Sequence, residues 1–195
     1  MPGMRSVPLG EVNGCLAGMP VKYQALAAIG VTTGCRITEI LNLQRSDLLT
    51  PDGALKERIA FDKLKTRTGV KHRFFAIPGP YRPYVTRHLR REEEKGYDRP
   101  DDLVFRGKNG RPLSRSSAYN FFRAQMGNGY GTHWMRKTFA QEMFRWFLRE
   151  RPDDPMRALE LTRQCLGHAR IDTTVKYLGI QDAEISQAQA AVFSA

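Results

Sequence analysis

Apolar residues recur at helical spacing along most of this chain. Residues 8–19, PLGEVNGCLAGM, set Leu9, Val12, Leu16 and Met19 on one face, although Gly10, Gly14 and Gly18 weaken the helix. VKYQALAAIGV over 21–31 predicts a second, more apolar helix closed by TTGC, and ITEILNL begins a third with Ile37, Ile40 and Leu41 inward. Between 55 and 77 the pattern changes: LKERIAF and HRFFAI are β-rich runs joined by the basic, Gly-containing DKLKTRTGVK, which reads as a hairpin with a long positive loop. Helical patterns return in PYRPYVTRHLRREEEK and, after a short extended LVF and a turn in GKNGRPLS, in SRSSAYNFFRAQM. HWMRKTFAQEMFRWFLRE follows, with Thr132 as a candidate cap. RPDDP breaks the pattern, ALELTRQCLGH and IDTTVKYLG resume it, and IQDAEISQAQAAVFSA is an amphipathic tail. The fold class expected is α+β, mainly α, with one small antiparallel hairpin.

Length and composition narrow the picture. The 195 residues suit a single domain with its own core, and 41% hydrophobic content agrees. The N-terminal MPGMRSVPLGEVNG lacks the apolar run of a signal peptide, and no stretch approaches the roughly 18 apolar residues of a membrane span. Cys15, Cys35 and Cys165 are odd in number, scattered and without C-x-x-C, so they suggest neither a disulfide framework nor a cysteine-rich zinc site, and a reducing cytoplasm is the expected location. The net charge of +11 is spread along the chain, as in proteins that neutralise phosphates. Ribosome-associated and membrane-surface proteins share that balance.

Four stretches carry candidate chemistry: TGCRITEILNL (33–43 with its leading Thr33), LKTRTGVKHR (64–73), THWMRKTFA (132–140) and LGHARIDTTVKYL (166–178). They supply Arg36, a loop lysine, His133 with Arg136 one helical turn on, His168, and Tyr177. Each alone has an ordinary structural explanation. In this order and wording they resemble the catalytic domain of the tyrosine recombinases, the phage integrase family, from about residue 8 to the end. The resemblance implies a helical catalytic domain with a small hairpin, occupying 1–195; the separate core-binding domain that usually precedes it has no counterpart here, so the expectation is either an excised catalytic domain or a naturally short recombinase similar in layout to the fimbrial-switch inversion enzymes. It implies a site-specific recombinase that cleaves and rejoins strands of double-stranded DNA through a 3′-phosphotyrosyl intermediate on Tyr177, with no cofactor and no metal. Arg36 and Arg136 then hold the non-bridging oxygens of the scissile phosphate, which guanidinium suits better than ammonium. His133 and His168 add donors that tune proton movement near neutral pH, and His133 helps deprotonate the attacking phenol.

A lysine of the hairpin, Lys65 with Lys63 as runner-up, protonates the departing 5′-oxygen, and Glu39 orients the basic groups. A homotetramer on paired sites is implied, with the tail 180–195 exchanged between protomers. Lys137 stands where many members have histidine, and the stretch FLRERPDDPMRALEL is longer than typical, which predicts a projecting surface loop. Related chemistry would make the chain a type IB topoisomerase-like relaxing enzyme, and loss of chemistry a DNA-binding regulator. A metal-dependent nuclease fits least, because the sequence lacks an acidic cluster to hold Mg²⁺.

Overall fold

A computed structural model describes residues 5–62 and 72–179 and divides the chain into two compact units, one ending at Phe139 and one beginning at Ala140. Lys63, Lys65 and the tail 180–195 lie outside the described residues.

The first unit is organised around α2 (Val21–Thr33), whose residues Gln24–Val31 are all buried. A helix apolar on every side belongs at the centre of a core, not at its surface. It packs chiefly against α5 (Arg82–Glu93), and also against α1 (Leu9–Ala17) and α3 (Ile37–Leu41). The glycines of α1 do not prevent its forming, because Val12 and Leu16 are completely buried beneath it. Gly30 allows the start of α7 (His133–Glu150) to approach: a Cβ there would lie 2.5 Å from Met135 Sδ. Trp134, fully buried, closes that region edge-on to Phe122 of α6 (Arg115–Met126).

The hairpin is narrower than its β-rich runs. β1 (Ile59–Asp62) and β2 (His72–Phe75) pair antiparallel with Phe61 opposite Arg73 and Ile59 opposite Phe75. Ile59 and Phe61 point into the core, and Phe74 is turned outward. ITEILNL does not run as one helix. It ends at Leu41, and a new turn α4 (Arg45–Leu48) starts after Gln44, whose backbone N–H donates to Asp47 Oδ2 at 2.8 Å. LVF forms an isolated bridge, Gln44 to Leu103, instead of a strand.

In the second unit, α7 continues to Glu150 and α8 (Pro155–Leu166) begins after a four-residue break. Asp154 caps α8 by accepting the Arg157 N–H at 2.8 Å, with Pro155 in the first turn. Of the stretch expected to project, only 151–154 break the helices, and all four are exposed. α8 packs on α9 (Ile171–Leu178).

Candidate active site

The TGCR stretch shows why local sequence dictates site geometry. Thr33 donates its hydroxyl to the Ile29 carbonyl at 2.7 Å and accepts the Cys35 N–H at 3.2 Å. Gly34 then takes φ of +61°, the left-handed conformation that ends α2. This turn aims the Gly34 carbonyl at α7, where Arg136 Nη1 donates to it. Arg136 is 3% exposed, so this bond fixes a buried guanidinium. Cys35, between Gly34 and Arg36, is buried and its thiol is pushed up to about 12 by desolvation, so it stays neutral and unreactive.

Arg36 stands at the N-terminus of α3 with its side chain 42% exposed. Glu39 is buried, not the surface acid that helix statistics favour. Its Oε2 accepts the Arg36 backbone N–H at 2.6 Å, and its Oε1 accepts Arg73 Nη2 at 2.7 Å and Arg36 Nη1 at a looser 3.5 Å. Glu39 thus holds Arg36 mainly by the backbone and leaves its guanidinium accessible.

His133, at the first turn of α7, is half-buried, and its pKa is lowered from the ordinary 6.5 by burial first, then by the positive charges of Arg136, Arg115 and Arg36. Those charges gather Arg36, Arg136 and His133 into one electropositive neighbourhood in the first unit. Beside His133 opens a cavity of about 500 Å³, lined by Arg115, Ser116, Tyr119, Asn120 and Thr132.

His168 and Tyr177 belong to the second unit. α8 ends at Gly167 in the left-handed conformation, and the next N–H, that of His168, donates back to the Arg163 carbonyl at 3.1 Å. Arg163 reaches forward as well: its Nη1 donates to the His168 carbonyl at 2.6 Å, and Glu160 grips the same guanidinium through Nε and Nη2, each at 2.7 Å. The His168 ring is fixed by a hydrogen bond between Nδ1 and the Thr174 hydroxyl, 3.0 Å, both groups buried. The Tyr177 ring stands edge-on to His168, centroids 5.5 Å apart. Thr174 and Tyr177 are three residues apart on α9, so one face carries both the imidazole's partner and the phenol.

Arg73, Thr174 and the Glu160–Arg163 pair were not singled out from the sequence. For Arg73 a signal existed: in HRFFAI the alternation that buries Ile77 and exposes Phe74 puts Arg73 on the inner face, where an arginine needs a carboxylate. Among the described residues, no group of three or more His, Cys, Asp or Glu side chains is placed to hold a metal ion. No described helix is long and apolar enough to cross a membrane.

Among solved structures, the chain superposes on XerA recombinase with a TM-score of 0.67 at 19% identity, covering 99% of this chain and 67% of that one. It matches XerH site-specific recombinase, bound to its palindromic difH substrate after cleavage, with a TM-score of 0.64 at 21% identity over 95% of this chain. For the Tn1549 transposon integrase in complex with circular intermediate DNA the TM-score is 0.60 at 18% identity, covering 92% of this chain and 64% of that one. At such identities the likeness is one of fold, and this chain spans 52% of the XerH chain. No curated protein matches it in sequence. The profile of the phage integrase family, however, matches residues 13–184, from within α1 to beyond α9, and the chain belongs to that family.

Proposed function

We propose that this chain is the catalytic domain of a tyrosine-type site-specific recombinase, which cleaves and rejoins double-stranded DNA in integration, excision, inversion or resolution. The observation that carries the reading is Tyr177 set edge-on to a His168 whose Nδ1 is held by Thr174. A phenol so placed is a nucleophile beside a hydrogen-bonding imidazole. In the proposed step the Tyr177 oxygen attacks phosphorus, the P–O5′ bond breaks, and a 3′-phosphotyrosyl enzyme and a 5′-hydroxyl result. His133, kept neutral by its lowered pKa, takes the phenol's proton, and Lys65 gives one to the departing 5′-oxygen. Arg36 and Arg136 stabilise the charge that develops on the non-bridging oxygens, and His168 donates to one of them. Glu39 orients Arg36. Resealing is the same step reversed, with a new 5′-hydroxyl as attacker, so no nucleotide cofactor is consumed.

The partner proposed is duplex DNA, supported by the +11 charge and by relatives crystallised on DNA. A homotetramer on paired sites, a tail 180–195 exchanged between protomers and a cytoplasmic location belong to the same proposal. The test is a nicked suicide duplex, selected by the protein from a randomised pool. Wild type should form a denaturation-resistant adduct, unaffected by EDTA, and Tyr177→Phe should bind equally and form none. An adduct of wild-type yield in Tyr177→Phe would reject the nucleophile, and relaxation of supercoils without site preference would favour topoisomerase-like activity.

A further inference from the structure

Glu39 is the hub of the first unit's charged cluster, and its two oxygens are used differently. Oε2 takes the Arg36 backbone N–H at 2.6 Å, which fixes where Arg36 leaves the turn. Oε1 is claimed from the other side by Arg73 Nη2 at 2.7 Å, while Arg36 Nη1 stays at 3.5 Å. Arg73 is rigidly mounted for this. It is 9% exposed, sits opposite Phe61 on the inner face of the hairpin, and lies 5.6 Å from the centroid of the Phe75 ring. Glu39 and Arg73 side chains are 4% and 8% exposed, whereas that of Arg36 is 42% exposed. A buried carboxylate demands a close cation. Were Arg73 missing, the nearest replacement would be the guanidinium of Arg36, drawn inward and away from any phosphate.

We infer that Arg73 is a positioning residue of the strand-transfer site, an internal counter-cation that satisfies Glu39 so that Glu39 aligns Arg36 through its backbone without capturing its guanidinium. The inference rests on the proposed strand-transfer reading. It makes Glu39 two-faced: helpful to Arg36 while Arg73 is present, a competitor once Arg73 is removed. A residue needed only for packing would not behave so.

The test uses that reversal, with single-turnover adduct formation on the selected suicide duplex as the rate and duplex affinity measured separately. Arg73→Ala should slow adduct formation by about 10- to 100-fold, the range usual when a residue supporting a site group is lost, with duplex affinity changed by less than about 3-fold. Glu39→Gln keeps an acceptor for the Arg36 N–H but has no charge to capture Arg36. Added to Arg73→Ala, it should therefore restore at least about a third of the lost rate on a logarithmic scale. If Arg73→Ala does not fold, Arg73→Gln with and without Glu39→Gln gives the same comparison, since glutamine removes the positive charge while keeping a polar side chain of similar reach. A double variant as slow as or slower than the single, or an Arg73→Ala rate within about 3-fold of wild type, overturns the inference and leaves the strand-transfer reading standing. No adduct from the wild type overturns that reading, and this inference with it.

Discussion

Gly34→Ala tests whether the TGCR turn is built as described. At φ of +61° a residue with a Cβ is disfavoured by about 1–2 kcal/mol. The added Cβ would also fall 2.2 Å from Phe139 Cδ1 and 2.7 Å from Cε1, against about 3.5–4.0 Å for ordinary carbon contact. Accommodating an extra carbon in a packed core costs about 1–3 kcal/mol. The sum is about 2–5 kcal/mol, or a melting point lower by about 4–20 °C at the usual 2–4 °C per kcal/mol for a chain of this size. The two tryptophans make the assay clean. Trp134 is fully buried in the first unit and Trp146 is 47% exposed in the second, so urea unfolding followed by fluorescence in a Trp146→Phe background reports on the unit that holds the turn. Phe139→Leu removes the ring atoms that the new Cβ meets. Gly34→Ala and Phe139→Leu together should therefore destabilise by about 1–3 kcal/mol less than the sum of the singles. Gly10→Ala is the control: within α1, with no atom within 4 Å of the new Cβ, it should stabilise by about 0.5–1 kcal/mol. A loss below about 1 kcal/mol for Gly34→Ala, or strict additivity with Phe139→Leu, would refute the argument.

Thr174→Val keeps the shape but removes the hydroxyl facing His168 Nδ1, so it should cost about 1–3 kcal/mol and slow adduct formation; if urea unfolding and cleavage both match wild type, the hydrogen bond is unimportant. Lys65→Ala should cleave the ordinary substrate about 10²- to 10⁴-fold slower and regain most of that when the bridging 5′-oxygen is replaced by sulfur, whose thiolate leaves without a proton. Rescue of Lys63→Ala instead would move the acid by two residues. Duplex affinity should fall steeply with salt, and a log–log slope near zero would contradict a phosphate-dominated interface.

The family was legible because four short motifs with guanidinium, imidazole and phenol side chains recur in its order, and its profile matches residues 13–184. Helix existence was legible too, since burial of one face imposes its spacing. What escaped were partnerships between elements distant in sequence. Glu39 reads as a helix surface acid from ITEIL alone, and only the arrival of Arg73 from the hairpin explains its burial. The split between α3 and α4 turns on Asp47 accepting the Gln44 N–H, a local cap that competes with helix continuation and leaves no mark in the apolar pattern. The segment 147–161 differs from its expectation for another reason. A loop was expected from its length, but arginines and glutamates are good helix formers, and ion pairs Arg145–Glu142 in α7 and Arg163–Glu160 in α8 flank the short break at 151–154.

The position of His133 ties the electrostatics to the order of events. Its pKa is lowered by burial first and then by Arg136, Arg115 and Arg36, the first and last of which are the proposed phosphate holders. In the free protein the imidazole is therefore neutral at pH 7. The unfolded chain takes up the proton first as pH falls, so this group's contribution to stability is complete above about 6.5 and is lost as pH drops from there through the lowered value. A bound phosphodiester would offset part of the positive field without removing the burial, and the pKa should then rise. On the roles proposed above, His133 would become a stronger base only when a phosphate is in place. The expected result is an NMR midpoint for His133 below 6.5 in free protein and a higher one with a Tyr177→Phe variant bound to duplex, where no cleavage intervenes. A midpoint at or above 6.5 without DNA, or one that DNA leaves unmoved, would mean that the arginines do not set the imidazole's charge, and the base would have to be sought elsewhere, with His168 the next candidate.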